Sequence, residues 1–396
     1  MPRLTHAVRD SRWAATRALM DDLRVDAFLF TGGDFFQYIS NFHTDVQVWE
    51  RPIFAVLPRN GDLFLVMNEL SIHHVRYSLE EGKLWTSDIS FWSEHPRVTQ
   101  RLPLAPQLPE LLADRLRDAG LGRSRIAVEG GNAALTAAAR LLPEVTLRPA
   151  TAEARSLRWQ KHPEEIAVMQ ALASTADWLQ DRYRENIRPG RLVQELDCAM
   201  SALWVEEAAR RFPGEQFEVV RAWSLSGPAS ASPHGDGRSA GARIEKGHSL
   251  VNILIPRLNG LAIENERTWF CGKPNPRQIA LWTTARDATD AAIAAAVTGR
   301  PVCGIDAAAA AVIERAGFGD LIRHRSGHAI GIQHHEYPED MSFNQRPLRD
   351  NEVYSAEPGL YEWGLGGFRI DDTVVVGATP RVLTHTPKTL EYATVE

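Results

Sequence analysis

The sequence predicts an α/β (α+β) protein of two domains, and three observations carry that prediction. At 396 residues the chain is too long for a single compact core. Its first half alternates helix and strand signals. Near residues 157–166 a junction, with Pro163 at a first helical position, opens a second series of helices and strands.

Residues 11–23 have helical spacing, with Trp13, Leu19, Met20 and Leu23 apolar. Residues 26–30 form a buried-strand run that stops at Gly32-Gly33. Residues 52–58 read as a second strand, and Asn60-Gly61-Asp62 turns the chain into a third over 63–67. A helix is expected over 110–119, with Pro109 at its start and Gly120 past its end, and a strand over 125–129. The first domain is expected to span 1–155 and the second 156–396. In the second, Glu164 and Glu165 sit in the first turn of a helix reaching about residue 185. Another helix is expected over 194–211, with strands over 217–221 and 249–255. Ala-rich helices follow over 283–296 and 306–316, and a late strand over 374–376.

Composition sets bounds on function. A hydrophobic content of 44% and a charged content of 24% are ordinary for a soluble globular protein. A net charge of −6 provides no basic field for nucleic acid or membrane, and Arg210-Arg211 is too short a run to supply one. Cys198, Cys271 and Cys303 are far apart and lack CxxC spacing, which fits free thiols in a reducing compartment. The N-terminus has no signal-peptide core, and no apolar run approaches the length of a membrane span. A cytoplasmic enzyme is the expectation.

Five groups of residues carry chemistry. Pro233 and Gly235 shape a turn around His234. A histidine there could activate water and protonate a leaving nitrogen near pH 7; equally, it could be a loop residue in water. Glu264 and Glu266 share a face if their segment is a strand. Two buried carboxylates need a metal, a substrate cation or a proton, whereas a solvent-facing edge strand needs none. His328 and His335 sit in a glycine-hinged segment that runs on into Glu336-Tyr337-Pro338. Glu357-Pro358-Gly359 places an acid at a strand end, and Arg369 and Asp371 are expected on one strand face, where they could also be a structural ion pair.

In order and spacing, this set resembles the pita-bread family of creatinase, aminopeptidase P, prolidase and methionine aminopeptidase (peptidase M24-like). The motifs cover nearly all of residues 160–396, and Thr31-Gly32-Gly33 with Tyr38-Ile39-Ser40-Asn41-Phe42 resembles that family's first-domain motif. The resemblance implies a creatinase-like N-terminal α/β domain followed by a pita-bread catalytic domain. Metal-dependent members carry Asp, Asp, His, Glu and Glu as ligands. The corresponding positions here are Ile253, Glu264, His328, Glu357 and Asp371. One ligand is lost and two have changed length, so a two-metal site is not expected to assemble. A single weakly held metal on Glu264, His328, Glu357 and Asp371 stays open.

The pattern resembles most closely the metal-free creatinase and ectoine-hydrolase-like branch. That branch implies His234 as proton shuttle and Glu266 and Glu357 as holders of a cationic substrate group. His328 and His335 would orient water or substrate, and Glu264, Arg369 and Asp371 would complete the substrate site. Arg51 loosely resembles an arginine that reaches a substrate carboxylate in the other subunit of a homodimer. The expectation is therefore a metal-independent hydrolase of a non-peptide C–N bond in a small polar nitrogen compound, with no cofactor. Two departures point elsewhere: creatinase has no acid at the position of Glu264, and the His-Glu-Tyr-Pro run is more prolidase-like. The alternatives are a metal-dependent X-Pro aminopeptidase or dipeptidase, a lyase on a small zwitterion, and a non-catalytic binding module.

Overall fold

The computed structural model describes residues 3–44, 46–93, 107–235, 241–338 and 341–396. The chain divides into two compact units, Leu4–Arg158 and Trp159–Glu396. Among the described residues no helix is long and apolar enough to cross a membrane.

The N-terminal unit is built on a mixed sheet of six strands: β1 Ala27–Phe30, β2 Phe54–Pro58, β3 Phe64–Asn68, β4 Ile89–Trp92, β5 Arg125–Val128 and β6 Thr146–Pro149. Their order is β4-β3-β2-β1-β5-β6. Its core joins Leu29, Val56 and Val66 of the sheet to Leu112, Leu116 and Leu135 of two helices, Leu108–Asp118 and Ala133–Arg140. The first helix, His6–Leu23, starts five residues before its apolar spacing does. The reason is local: the Thr5 hydroxyl accepts a hydrogen bond from the Ala7 N–H and caps the helix there. In the Thr31-Gly32-Gly33 segment, the Gly32 N–H donates to the Glu129 carboxylate at 2.9 Å. A Cβ on Gly32 would stand 2.9 Å from the Asp34 carboxylate.

The C-terminal unit opens with helix α1, Pro163–Asn186. Its capping box is made by His162, whose ring accepts from the Glu164 N–H, and Glu165, whose carboxylate accepts from the His162 N–H at 2.8 Å. Helix α2, Val193–Arg211, follows. Then come strands β7 Phe217–Ser226, β8 Ser249–Leu258, the short β9 Leu261–Ala262 and β10 Asn265–Cys271. Helix α3, Pro276–Ala295, starts well before its Ala-rich stretch because Asn275 and Gln278 form a second capping box. Helix α4 is Cys303–Arg315. The last four strands needed here are β11 Val353–Ala356, β12 Gly359–Glu362, β13 Gly366–Arg369 and β14 Asp371–Val375.

The main sheet runs β11-β14-β10-β8-β7, and each neighbouring pair is antiparallel. Register across it fixes the site. Trp223 of β7 stands opposite Ile253 of β8, Ile253 opposite Glu266 of β10, and Glu266 opposite Asp371 of β14. Because side chains alternate, this row shares one face. The other face meets α1 and α2. There Asn265 donates to Asp177 of α1, and Asn252 donates to Ser224, which donates to Asp197 of α2. Arg369 and Asp371 were expected on one strand face. The chain breaks at Ile370, so Arg369 ends the small β12–β13 sheet and Asp371 begins β14.

Asp197 accepts from the Ser224 N–H and hydroxyl and from the Tyr183 hydroxyl. Burial nevertheless pushes its carboxyl up to about 6, with those hydrogen bonds only partly opposing the rise. The unfolded value is near 3.9, so between roughly pH 4 and 6 the folded chain keeps a proton that the unfolded chain has released. The group's contribution to stability therefore falls as pH rises through that window and stays lower above it. Asp197→Asn can meet the same three partners with its amide. Its stability relative to the natural chain should rise by about 2 kcal/mol between pH 4.5 and 7.5. Urea unfolding of both proteins at both pH values measures this, and a pH-independent difference contradicts it.

Candidate active site

The shared sheet face lines a cavity of about 400 Å³, with Ile253, Ile255, Glu264 and Glu266 in its wall. His234, His324, His335, Glu357 and Arg369 also line it. His328 is only 1% exposed beneath them. A glycine before it is required by contact: a Cβ on Gly327 would stand 2.1 Å from the Ser355 carbonyl oxygen. The backbones of His328 and Ser355 are tied at this crossing, and the Ser355 hydroxyl accepts from the His328 N–H at 3.0 Å. The His328 Nδ1 lies 3.0 Å from the Ala329 carbonyl oxygen, so Nδ1 carries the donated proton. Nε2 is then turned toward the acids, 3.2 Å from Glu264 Oε2 and 3.4 Å from Glu357 Oε1. Burial disfavours charge on this imidazole, but Glu264 and then Glu357 outweigh it and lift the group to about 9.

Two groups of donors meet at Glu357. One atom from each of Glu264, His328 and Glu357 lies within 4.8 Å of the others, and the same holds for Glu266, Glu357 and Asp371. In the second group a cation is built in. Arg369 Nη2 donates to Glu266 Oε1 at 2.9 Å, and its Nε lies against Glu266 Oε2. Burial raises the Asp371 carboxyl well above its ordinary range, and Glu264, Glu266 and Glu357 push the same way. The Arg369 Nη1 donates to the Tyr361 hydroxyl at 3.2 Å, which lies 2.7 Å from His324 Nε2. Since His324 Nδ1 faces the Arg325 carbonyl, Tyr361 donates to His324.

His335 stacks on His328 with ring centroids 3.7 Å apart, and the Arg325 guanidinium lies 3.4 Å from its Nδ1. Desolvation and the neighbouring His328 hold His335 well below the ordinary histidine range. His234 lies on the exposed cavity wall, after β7 and the short helical turn Gly227–Ala231. That turn is pressed against β13: the Ser230 hydroxyl accepts from the Gly367 N–H at 2.7 Å, and a Cβ on Gly367 would meet the Ser230 carbonyl oxygen at 2.3 Å. Arg51 belongs to the N-terminal unit, where its guanidinium donates to Glu50 at 2.6 Å. The cavity thus brings together His234, Glu264, Glu266, His328, His335, Glu357, Arg369 and Asp371. Sequence reading missed His324, Tyr361, His334 and Arg221. For the first two the sequence offers only spacing as a signal, four residues before His328 and four after Glu357.

These residues suit one divalent cation and not two. His328 Nε2 is buried and close to two carboxylates without a well-aligned hydrogen bond, which is the donor pattern of a ligand set. Ile253, in the row between Trp223 and Glu266, offers no donor atom, and Arg369 already supplies positive charge to the second group.

Residues 167–378 match the Metallopeptidase family M24. The chain belongs to that family. Residues 12–160 match the Creatinase/Prolidase N-terminal domain, so the architecture is a creatinase-type α/β domain followed by a pita-bread domain. A Bacillus subtilis protein named Putative dipeptidase YkvY is 28% identical over 368 residues, covering 92% of this chain and 94% of the relative. The Xaa-Pro dipeptidase of Pyrococcus furiosus is 31% identical over 222 residues, an alignment that spans 56% of this chain and 62% of the relative. The crystal structure of dipeptidase PepE from Mycobacterium ulcerans superposes with a TM-score of 0.80 at 26% identity, covering 99% of each chain.

These findings correct the expectation of a metal-independent hydrolase of a non-peptide C–N bond. The family is one of metallopeptidases, and relatives across it carry dipeptidase names. The physical reason lies in the donor set. Ile253 removes one ligand, yet Glu264, His328 and Glu357 still converge.

The Glu266–Arg369 pair can be tested by a double-mutant cycle. Arg369→Met leaves Glu266 buried among acids and should lower stability by roughly 3–5 kcal/mol. The double variant E266Q/R369M should recover at least half of that loss in urea unfolding. Simple additivity of the two single changes would show that the pair is not coupled.

Proposed function

We propose that this chain is a metal-dependent dipeptidase of the Xaa-Pro type, hydrolysing the C–N bond of a dipeptide. The observation that carries the reading is the convergence of Glu264, His328 and Glu357 in a cavity, in a member of a metallopeptidase family. In this reading those three residues hold one divalent cation, with Asp371 beside them. Bound there, a divalent cation supplies Lewis-acid polarisation of the scissile carbonyl and water acidic enough to attack near neutral pH.

The chain's own residues do the rest. His328 is kept in one tautomer by the Ala329 carbonyl, so its Nε2 stays a ligand atom. Arg369 and Tyr361 hold Glu266 and its neighbours in a fixed arrangement without lending them to the substrate. His335, stacked on His328 and kept neutral, offers a ring N–H to oxygen charge that develops at the scissile carbonyl. The leaving group is a secondary amine when the second residue is proline, and it needs a proton. His234, on the exposed cavity wall, supplies it.

Chelation followed by dialysis should abolish hydrolysis of Leu-Pro, and Mn, Co or Zn should restore it. Elemental analysis should find about one ion per chain, because the donor set is short of a two-ion site. Activity that survives complete metal removal, or no Leu-Pro hydrolysis under any loading, ends this reading. His328→Ala should lower turnover by about three orders of magnitude or more and release the ion. His234→Ala should lower it by roughly two to four orders with the ion retained. A His234 variant that loses the ion along with activity would place that histidine in the ligand set instead.

A further inference from the structure

Among the described residues, Arg221 is the one cavity-lining arginine without a partner. Among the described residues no hydrogen bond or ion pair engages it, and its contact is with the ring of Trp223, 5.2 Å from the guanidinium carbon to the centroid. The other arginines nearby are committed. Arg369 is held by Glu266 and Tyr361, Arg325 by the Gly327 carbonyl and His335, and Arg257 by Glu218.

Register explains how Arg221 reaches the site. It stands opposite Ile255 on β7–β8, as Trp223 stands opposite Ile253, so it shares the face that carries Glu266 and Asp371. Stacking on Trp223 limits the directions its fork can take. His334 is close by, since the charge of Arg221 contributes to lowering its pKa, although burial is the larger cause. The Nδ1 of His334 is itself buried without a partner. The cavity is therefore polarised. Carboxylates gather around His328, and His334 lies within 4.8 Å of one of them, Glu264, whereas Arg221 stands on the far strand with Ile253 and Ile255 between.

A half-buried guanidinium without an anion is costly to keep, and a planar fork matches a carboxylate in two-point fashion. Two strand spacings, about 10 Å, separate the backbone of β7 from that of β10. The carboxylate of a dipeptide lies only one residue, about 3.8 Å, beyond the scissile carbonyl. An arginine side chain reaching in from β7 closes that gap. The acids at the scissile end would repel a carboxylate, so a separate cation is needed to seat one.

Resting on the dipeptidase reading, we propose that Arg221 binds the free α-carboxylate of the substrate and so restricts the site to peptides that end one residue after the cleaved bond.

The test compares Leu-Pro with Leu-Pro amide on the metal-loaded natural chain, Arg221→Ala and Arg221→Lys. Arg221→Ala should raise KM for Leu-Pro by about 10–100-fold with kcat within about threefold, and leave KM for the amide unchanged. Arg221→Lys, which keeps the charge but not the fork, should fall between. An equal effect on acid and amide, or a loss confined to kcat, overturns the proposal. A second measurement does not depend on peptide cleavage. Calorimetric titration with proline and prolinamide should show proline bound at least about tenfold more tightly by the natural chain than by Arg221→Ala, and prolinamide bound alike by both. If the chain cleaves no dipeptide but proline still discriminates, only the dipeptidase reading fails. Equal proline affinities, or no proline binding to the natural chain, overturn the role of Arg221. Melting of Arg221→Ala close to the natural value checks that the fold is intact.

Discussion

Four carboxylates buried side by side set the terms for the catalytic unit. Glu264, Glu266, Glu357 and Asp371 are each at most 9% exposed, and ligand atoms of neighbouring members lie within 4.8 Å. Such a group folds only if positive charge or protons meet it. The chain answers with two cations of different kinds. Arg369 is fixed and permanent, bound to Glu266 through a fork. The imidazole of His328 is conditional: between Glu264 and Glu357 it takes up a proton far more readily than a histidine in water. That proton meets the oxygens that a metal ion would otherwise satisfy, so the acids have a folded, charge-balanced form without one.

This division of labour also explains how Ile253 is tolerated. In a row of Trp223, Ile253, Glu266 and Asp371, an apolar residue in second place packs against Leu225, Val251 and Ile255. A carboxylate there would have added a fifth negative charge to the cluster. Instead the apolar part of the sheet reaches the edge of the ligand group, and polarity resumes at Arg221.

Much of this was legible in the sequence because spacing along strands is rigid. The alternation that places Glu264 and Glu266 on one side needs only a strand, and the segments around His328 and Glu357 announce themselves through glycine and proline. Helix starts were less legible. Thr5 and the Asn275–Gln278 box lie outside the apolar pattern that defines a helix by period. Partnerships across long separations were not legible at all. Glu266 and Arg369 are 103 positions apart, and nothing local distinguishes that pairing from one between Arg369 and Asp371. Metal dependence was misjudged for a related reason: loss of one ligand residue was weighed by its identity, whereas the remaining three are brought together by contacts such as the Gly327–Ser355 crossing. Arg221 was invisible because a single arginine in a strand reads as surface until the register that turns it into the cavity is known.

The contact between Gly367 and Ser230 has a consequence of a mechanical kind. The turn that leads to His234 rests directly on the strand that ends in Arg369, held there by the Ser230 hydroxyl and with the Ser230 carbonyl oxygen against the bare Cα of Gly367. The loop that carries His234 and the arginine that pairs with Glu266 are thus two ends of one lever, with a hydrogen atom of glycine as its fulcrum. A methyl group at 367 would tilt that lever. It would move a loop several residues away while leaving Glu264, His328 and Glu357 in place, so the disturbance would reach the cavity at its His234 wall and not at its acids.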